Sequence, residues 1–180
     1  MPPQLFLVVL GGRAPGVHIE LHDVRFVVGH SLDDTLPALR RQWFGRRRGL
    51  HIDSWMAVKR VGRHAIHLSR DPWEGADRLW FVNVGGYRPD RLAEQHAFGL
   101  VVAATASDAK RQGLATWLPQ AVDRHKDDLQ PLACLEAPLS PEAVDDCLAV
   151  EAVAGWHVHL TPVAGAPPPQ VPDWFGYRPI

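Results

Sequence analysis

Two short apolar runs, each ended by a pair of glycines, are the clearest pattern in this sequence. Leu5–Leu10 is followed by Gly11-Gly12, and Leu79–Val84 is followed by Gly85-Gly86. A short apolar run that ends in glycines is typical of a buried strand followed by a turn. The two runs lie 74 residues apart, and holding that offset over residues 5–44 gives 11 identities. The pattern therefore predicts an internal repeat.

The residues after each glycine pair predict the same succession of elements in both units. Phe26–Gly29 is short and β-branched, which favours a second strand. Ser31 and Asp34 have the spacing of a helical capping box, and Thr105 and Asp108 repeat it. The apolar face of the first helix consists of Leu32, Leu36, Leu39 and Trp43. Hairpin strands follow at 56–61 and 65–68 in the first unit and at 148–153 and 157–160 in the second.

A second offset locates the end of each unit and an insertion in the second one. Residues 53–68 match residues 145–160 at an offset of 92, so the second unit carries 18 extra residues. We predict a first unit over 1–72, a second over 73–162 with an insertion at about 119–144, and a tail over 163–180 that packs on the core. The fold class is α+β: tandem ββαββ repeats of mostly antiparallel sheet, with one helix per repeat and a pseudo-two-fold relation.

Composition narrows the class of protein without naming a function. The hydrophobic fraction of 46% and the charged fraction of 22% are typical of a soluble globular domain, and we expect a cytoplasmic protein without membrane contact. The net charge of −1 argues against nucleic acid as a partner. Cys134 and Cys147 lack metal-type spacing, and a reduced pair is favoured over a disulfide. The sequence assigns no cofactor and no metal site.

The strongest candidate for chemistry is a Glu-x-His motif that follows each glycine pair. Glu20 and His22 occur in the first unit, and Glu94 and His96 occupy the same places in the second. In an extended segment residues i and i+2 point the same way, so each carboxylate lies beside its imidazole. Two such pairs around a pseudo-two-fold axis suit a divalent metal or general acid/base catalysis. The favoured alternative is a structural brace, in which each pair bonds its own loop backbone.

These motifs lead to two interpretations of function. The leading one is a binding or interaction protein for an unidentified ligand or protein, with its site at the seam where the two loops approach each other. The residues expected there are Gly11, Gly12, Glu20, His22, Gly85, Gly86, Glu94 and His96. The alternative is a metal-dependent or acid/base hydrolase that uses the paired Glu-x-His motifs. The sequence does not decide whether the protein is an enzyme or whether it forms a homodimer.

Two further clusters give weaker hypotheses. A third interpretation is nucleic-acid binding through an arginine cluster beside Trp43 and Phe44, composed of Arg40, Arg41, Arg46, Arg47 and Arg48. The second unit has no arginine in the stretch aligned with the helix end, so the cluster is not part of the repeated design. His157 and His159 share one face of a strand and could form half of a metal site.

The tail is rich in proline and aromatic residues. Its prolines favour extended backbone. Trp174 and Phe175 are expected to anchor it on the core or in the seam, because aromatic side chains are rarely left in water. A short linear motif for a partner protein is the alternative.

Several stretches together carry a family resemblance: Leu10–Gly12, Ile19–Phe26, Gly49–Ser54, Phe81–Tyr87, His125–Leu129 and Asp173–Tyr177. They resemble a bacterial family known as domain of unknown function 1543, whose members carry one or two copies of a short domain. The resemblance extends over nearly the whole chain. It implies a small, soluble bacterial protein and brings no activity with it. Within the chain, Asp23 follows the first Glu-x-His motif, whereas Ala97 follows the second.

Overall fold

The computed structural model describes residues 2–126 and 147–180. The first unit contains five strands and one helix: β1 (Gln4–Gly12), β2 (Leu21–Gly29), α1 (Leu32–Gln42), β3 (His51–Ala57), β4 (Arg60–Val61) and β5 (His64–Ser69). The strand predicted at 56–61 is divided in the structure. Its first half ends β3 and its second half forms β4, and these strands belong to different sheets.

The second unit repeats this order. Its elements are β6 (Arg78–Tyr87), β7 (Gln95–Ala103), α2 (Ala106–Thr116), β8 (Val122–Lys126), β9 (Cys147–Ala149), β10 (Ala152–Val153) and β11 (Trp156–Pro162), and the tail adds β12 (Trp174–Pro179). The ladders are antiparallel throughout the described part of the chain. The α+β class with one helix per repeat is confirmed.

The described residues form three sheets. The first-unit sheet has the order β12-β3-β1-β2, and the second-unit sheet has β7-β6-β8 with β9 also paired to β6. The third, shared sheet has the order β10-β11-β5-β4 and takes a hairpin from each unit. In its centre His67 lies opposite His159, its own repeat equivalent, and the neighbouring pairs are symmetric about this point. A pseudo-two-fold axis therefore passes between these two residues.

Each helix covers the outer face of its own sheet, and the two sheets share an inner core. The predicted face of α1 lies in an outer core with Val8, Leu10 and Ile52. The corresponding residues Ala106 and Trp117 of the second unit lie in a separate outer core with Val82. The inner core joins both units and the shared sheet, and at its centre Phe26 meets Phe81 edge to face at 5.5 Å. Burial of this kind compensates for the small core that each unit has alone.

The helix starts follow the predicted capping pattern. In α1 the Ser31 hydroxyl accepts from the backbone N–H of Asp34, and the Asp34 carboxylate accepts from the Ser31 N–H. In α2 the Thr105 hydroxyl accepts from the backbone N–H of Asp108 and donates to the Asp108 carboxylate. The reciprocal box is therefore complete at α1, whereas at α2 the acid bonds the hydroxyl instead.

Strand register shows how the second unit accommodates its extra residues. Gly85 lies opposite His125 on β8, as Gly11 lies opposite His51 on β3. Further along β6, β9 pairs in the way that the end of β3 pairs with β1. Strands β8 and β9 together thus take the place of β3, and residues 122–126 belong to the repeated framework although the insertion was expected to begin at about 119. Residues 127–146, which include Cys134, lie outside the described residues.

The tail crosses the molecule and ends as an edge strand. Strand β12 pairs with β3, and Trp174 lies against the outer core of the first unit. Phe175, the second anchor expected from the sequence, is 78% exposed because its side chain points away from that core. Before reaching β12, the tail passes β7, where the Gln170 side chain bonds both the N–H and the carbonyl of Leu100. Within the described residues no helix is long and apolar enough to cross a membrane.

Candidate functional site

A row of three residues across the first-unit sheet positions the candidate site. Gly11 on β1 lies opposite His22 on β2 and also opposite His51 on β3. Because directly opposed residues of adjacent strands share a face, both imidazoles stand on the same side of the glycine. Gly11 has to lack a side chain here. A Cβ would lie 2.8 Å from Cε1 of His51 and 2.9 Å from Oδ2 of Asp53.

A β-bulge brings the fourth residue, Asp53, into this row. Val9 pairs with Ser54 and Leu10 pairs with Ile52, so Asp53 is the extra residue between them. A bulge bends its strand and re-aims the side chain of the unpaired residue. As a result, His51 and Asp53 both turn toward the space above Gly11.

The four side chains form a closed ring of contacts, which we call the Gly11 cluster: Glu20, His22, His51 and Asp53. Nε2 of His22 lies 3.3 Å from Oε1 of Glu20 and 3.3 Å from Oδ2 of Asp53. Nε2 of His51 lies 3.3 Å from the same Glu20 oxygen and 3.1 Å from Oδ1 of Asp53. Two imidazole nitrogens and two carboxylates therefore converge on one point of the sheet surface.

The orientation of His51 is determined by its other ring nitrogen. Nδ1 lies 2.8 Å from the carbonyl oxygen of Gly49, and since a carbonyl only accepts, Nδ1–H donates. Nε2 of the neutral ring then carries a lone pair directed at two carboxylates. The His51 side chain is 1% exposed, whereas those of Glu20 and Asp53 are 38% and 30% exposed, so solvent reaches the carboxylates at the rim. Three acceptors that face one another are stabilised by a cation between them, either a proton or a metal ion.

The rim of the cluster is open on one side and covered on the other. The side chain of His22 is 55% exposed, which gives access from solvent. On the opposite side the ring of Tyr177, on β12, lies over that of His51 with centroids 4.2 Å apart. The pairing of β12 with β3 shifts in register between Phe175 and Arg178. Gly176, within this irregular stretch, has φ of 147°, a value that favours glycine. The irregular strand thereby delivers Tyr177 to the cluster.

The second unit repeats this framework. Gly85 on β6 lies opposite His96 on β7 and opposite His125 on β8, so the same row of three is present. Nε2 of His96 lies 3.7 Å from Oε2 of Glu94. Asp127 is the sequence equivalent of Asp53 at the offset of 74, and it lies outside the described residues.

The ion-pair contacts described for the Glu-x-His pairs lie within single units. Glu20 and His22 meet His51 and Asp53 of the first unit, and Glu94 meets His96. The seam instead holds an apolar cavity of about 220 Å³ between the first-unit sheet and β7, under the tail. Its lining includes Leu7, Met56, Phe98 and Gln170, and none of the four Glu-x-His residues.

The remaining predicted glycines have packing roles. A Cβ on Gly12 would lie 2.8 Å from Cζ2 of Trp43, so this glycine admits the buried indole. A Cβ on Gly86 would lie 2.9 Å from Cβ of Ala121. Gly11 and Gly85 alone stand in the histidine rows.

Sequence reasoning missed His51 and Asp53, although a signal for them exists. The offset of 74 aligns His51 with His125 and Asp53 with Asp127 in the sequence, so a His-x-Asp motif is repeated along with Glu-x-His. The offset of 92, which aligns Asp53 with Asp145, hides this match. Asp23 takes no part in the Gly11 cluster: its Oδ2 bonds Nη1 of Arg25 at 2.7 Å. The second unit, with Ala97 at that position, loses no cluster residue.

The histidines of the shared sheet do not form a site with each other. Nε2 of His159 bonds the backbone carbonyl of Asp71 at 2.8 Å, and its ring lies against Trp73. His67 is exposed. Over the described ranges, the Gly11 cluster included, no three or more His, Cys, Asp or Glu side chains are placed so that they could hold a metal ion without rearrangement.

The arginine cluster is a surface feature. All five of its arginines are exposed, and none forms a salt bridge with a described acidic residue. Trp43 is buried, whereas Phe44 is 58% exposed with its ring 4.6 Å from that of Trp43. The cluster therefore presents cationic groups around one accessible aromatic ring.

Comparison with known proteins adds a family but no activity. No curated protein matches the chain. A crystal structure of protein Il1583 from Idiomarina loihiensis is similar, with 35% identity and a TM-score of 0.70 over 98% of this chain and 97% of the other. The model of a family described as a domain of unknown function, DUF1543, matches residues 17–68 and 91–136, which is more than half of the chain. Both matched segments begin just before a Glu-x-His motif and extend past a His-x-Asp motif. The chain belongs to this family and carries two copies of its domain.

Proposed function

We propose that this protein binds a divalent transition-metal cation at the Gly11 cluster, and that the second unit holds an equivalent site with Glu94 and His96. The observation that carries the proposal is the approach of Nε2 of the buried His51 to two carboxylates, 3.3 Å from Glu20 and 3.1 Å from Asp53, with its other ring nitrogen bonded to the Gly49 carbonyl. A metal ion between these groups would satisfy all three acceptors at once. The proposal goes beyond the sequence, which assigned no metal.

The donor set fits such a cation. Imidazole nitrogen together with carboxylate oxygen suits zinc and its neighbours among the divalent metals. At a tetrahedral zinc with bonds of about 2.1 Å, donor atoms lie about 3.4 Å apart. The nitrogen–oxygen contacts of 3.1–3.3 Å are close to that separation. At present Asp53 spreads its two oxygens over the two imidazoles, so a cation has to draw the donors around itself.

The surroundings of the cluster agree with this role. The hydrogen bond from Nδ1 of His51 to the Gly49 carbonyl orients the ring and leaves Nε2 as the coordinating atom. Two carboxylates bring two negative charges, which favour a divalent cation. Asp23 is neutralised by Arg25 and does not compete for it. The exposed edge of His22 provides the path of entry.

This arrangement favours one site in each unit over a single site at the seam. The bracing role that the sequence also suggested remains compatible with the ring of contacts in the absence of a metal. The two roles differ in a measurable way, because a brace needs no cation and a metal site loses its affinity when His51 or Asp53 is changed.

The test is titration of the chelator-treated full chain with Co²⁺ and Zn²⁺. Cobalt gives a visible absorption spectrum that reports nitrogen and oxygen ligands, and calorimetry with zinc gives affinity and stoichiometry. His51→Ala and Asp53→Asn should each remove one binding event and weaken the other little. The control is His67→Ala, which removes an exposed histidine far from the row and should leave both spectra and stoichiometry unchanged.

His96→Ala separates the two units, because it should remove the second binding event and spare the first. The proposal is wrong if the wild-type chain takes up neither metal. It is also wrong if His51→Ala binds both metals as the wild type does.

A further inference from the structure

We infer that the first unit extends its site into a phosphate-binding surface formed by the loop of Arg46, Arg47 and Arg48, and that its ligand is a nucleotide phosphate. This inference rests on the proposed function only in placing a metal ion beside the phosphate site. The arginine loop occurs in one unit, and its charge does not depend on that metal ion. The ligand class follows from three observations: the way the loop is held, its uncompensated charge, and the aromatic ring at its start.

The arginine loop is fixed directly beside the Gly11 cluster. The backbone N–H of Arg46 bonds the carbonyl of Arg13, two residues beyond Gly11, and the indole N–H of Trp43 donates to the carbonyl of Arg46. At its other end, Gly49 accepts from Nδ1 of His51. Both ends of the loop are therefore tied to the framework that carries the cluster, which reduces the ordering cost of binding a ligand.

Within residues 2–126 and 147–180, the charge of this surface has no acidic partner. Arg46, Arg47 and Arg48 are exposed, and none of them pairs with a described acidic side chain. By contrast, Arg111 bonds Asp108, and Arg88 bonds Asp90. Guanidinium groups offer paired N–H donors that match phosphate oxygens. A concentration of three such groups over three residues favours an anionic ligand.

The aromatic ring next to the loop favours an anion that also carries a nucleobase. Phe44 is 58% exposed, and its inner face rests on the buried Trp43. An exposed aromatic beside arginines is the combination that stacks a base while its phosphate is held. Inorganic phosphate would leave this ring unused.

The second unit provides an internal comparison. The positions equivalent to Arg46, Arg47 and Arg48 are Gln120, Ala121 and Val122. The two loops also differ in course: Leu118, the equivalent of Phe44, has φ of 52°, and β8 begins at Val122 whereas β3 begins only at His51. The three arginines and the loop that carries them are thus a feature of the first unit alone, in keeping with a ligand that only this unit binds.

The experiment measures binding of a fluorescein-labelled oligothymidylate and of fluorescent ADP to the full chain by anisotropy, each in zinc and in chelator. Replacing Arg46, Arg47 and Arg48 by Ala should lower the slope of log affinity against log salt by about 2–3. The control replaces Arg63, Arg91 and Arg111 by Ala, which makes the same change in net charge at other exposed positions. The control slope should stay at the wild-type value. Phe44→Ala should weaken binding of the probe without changing the slope of log affinity against log salt.

The two probes identify the source of the phosphate. Binding of the oligonucleotide alone indicates single-stranded nucleic acid, whereas binding of ADP alone indicates a free nucleotide; either result supports the inference if the loop variant loses it. Absence of binding for both probes overturns the inference, and so does an equal loss in the control. Because the chelator arm does not depend on the metal, zinc uptake and phosphate binding can fail separately.

Discussion

The rings of His51 and Tyr177 stack at a tilt of 36°, with centroids 4.2 Å apart. Tyr177 belongs to the tail, which lies outside the repeat, and so the first unit has a cover over its cluster that does not derive from the repeated framework. The two units are therefore similar in their histidine rows and different in what surrounds them. The arginine loop adds to this difference, because it too is confined to the first unit.

The first prediction concerns this stacking contact. Tyr177→Ala should lower the free energy of unfolding by about 1 kcal/mol, because an aromatic pair contributes roughly 0.5–1.5 kcal/mol. Phe175→Ala, two residues earlier on the same strand, removes a ring that is 78% exposed and should cost less than about 0.5 kcal/mol. Urea denaturation of both variants measures the difference. Equal losses would mean that the ring of Tyr177 contributes nothing through His51.

A second prediction follows from the lack of space above Gly11. Gly11→Ala should destabilise the protein by about 1–3 kcal/mol, since the new methyl group overlaps His51 and approaches Asp53. In a His51→Ala background the same change should cost less, because the imidazole has been removed. The four proteins form a double-mutant cycle that thermal or urea unfolding can measure. A coupling energy near zero would show that the two positions are independent.

The third prediction concerns the tail where it crosses β7. The amide of Gln170 bonds the N–H of Leu100 at 2.8 Å and its carbonyl at 2.7 Å. Gln170→Ala should cost about 1–2 kcal/mol, because two backbone groups of the sheet edge lose their partner. It should also speed hydrogen exchange at the Leu100 amide. Val171→Ala changes an exposed neighbour and should leave that exchange rate as in the wild type. Unchanged exchange in Gln170→Ala would contradict the bonding described.

A fourth prediction concerns pH and the start of α2. A hydrogen bond from the Thr105 hydroxyl and, as the second cause, one from Arg111 lower the pKa of Asp108 below its ordinary value. A depressed carboxyl pKa contributes stability above the pKa of the unfolded state, and this contribution is lost as the pH falls through the folded pKa. Asp108→Asn should therefore be less stable than the wild type at neutral pH, with the difference shrinking in acid. The measurement is urea unfolding of both proteins across that range.

Asp71→Asn is the control for the acid series. Asp71 is exposed and its carboxylate makes no hydrogen bond within the described ranges. Its difference from the wild type should vary less with pH. A gap between wild type and Asp108→Asn that stays constant into acid would contradict the prediction.

Much of the fold follows from local patterns. The Gly-Gly runs and the identities at the offset of 74 predicted the repeat, and the Ser31-to-Asp34 spacing predicted the start of α1. The hairpin strands on either side of residues 62–64 and 154–156 were also predicted, and in the structure the turn residues Gly62, Ala154 and Gly155 have positive φ. Such features depend on residues close together in the chain, so their chemistry is visible without knowledge of the partners.

The sequence by itself determined the repeat, the order of elements in each unit and the Glu-x-His half of the site. Only the tertiary structure decided which residues complete it, because Gly11 has to pair with two strands at once and Asp53 is turned by a bulge that depends on the register of β3. It also decided that the strand predicted at 56–61 divides between two sheets, with Val58 bonded to Leu5 before β4 joins the shared sheet. Register and sheet membership are settled by pairing between distant segments, and one residue of slip reverses the face of every side chain. A local pattern cannot contain that information.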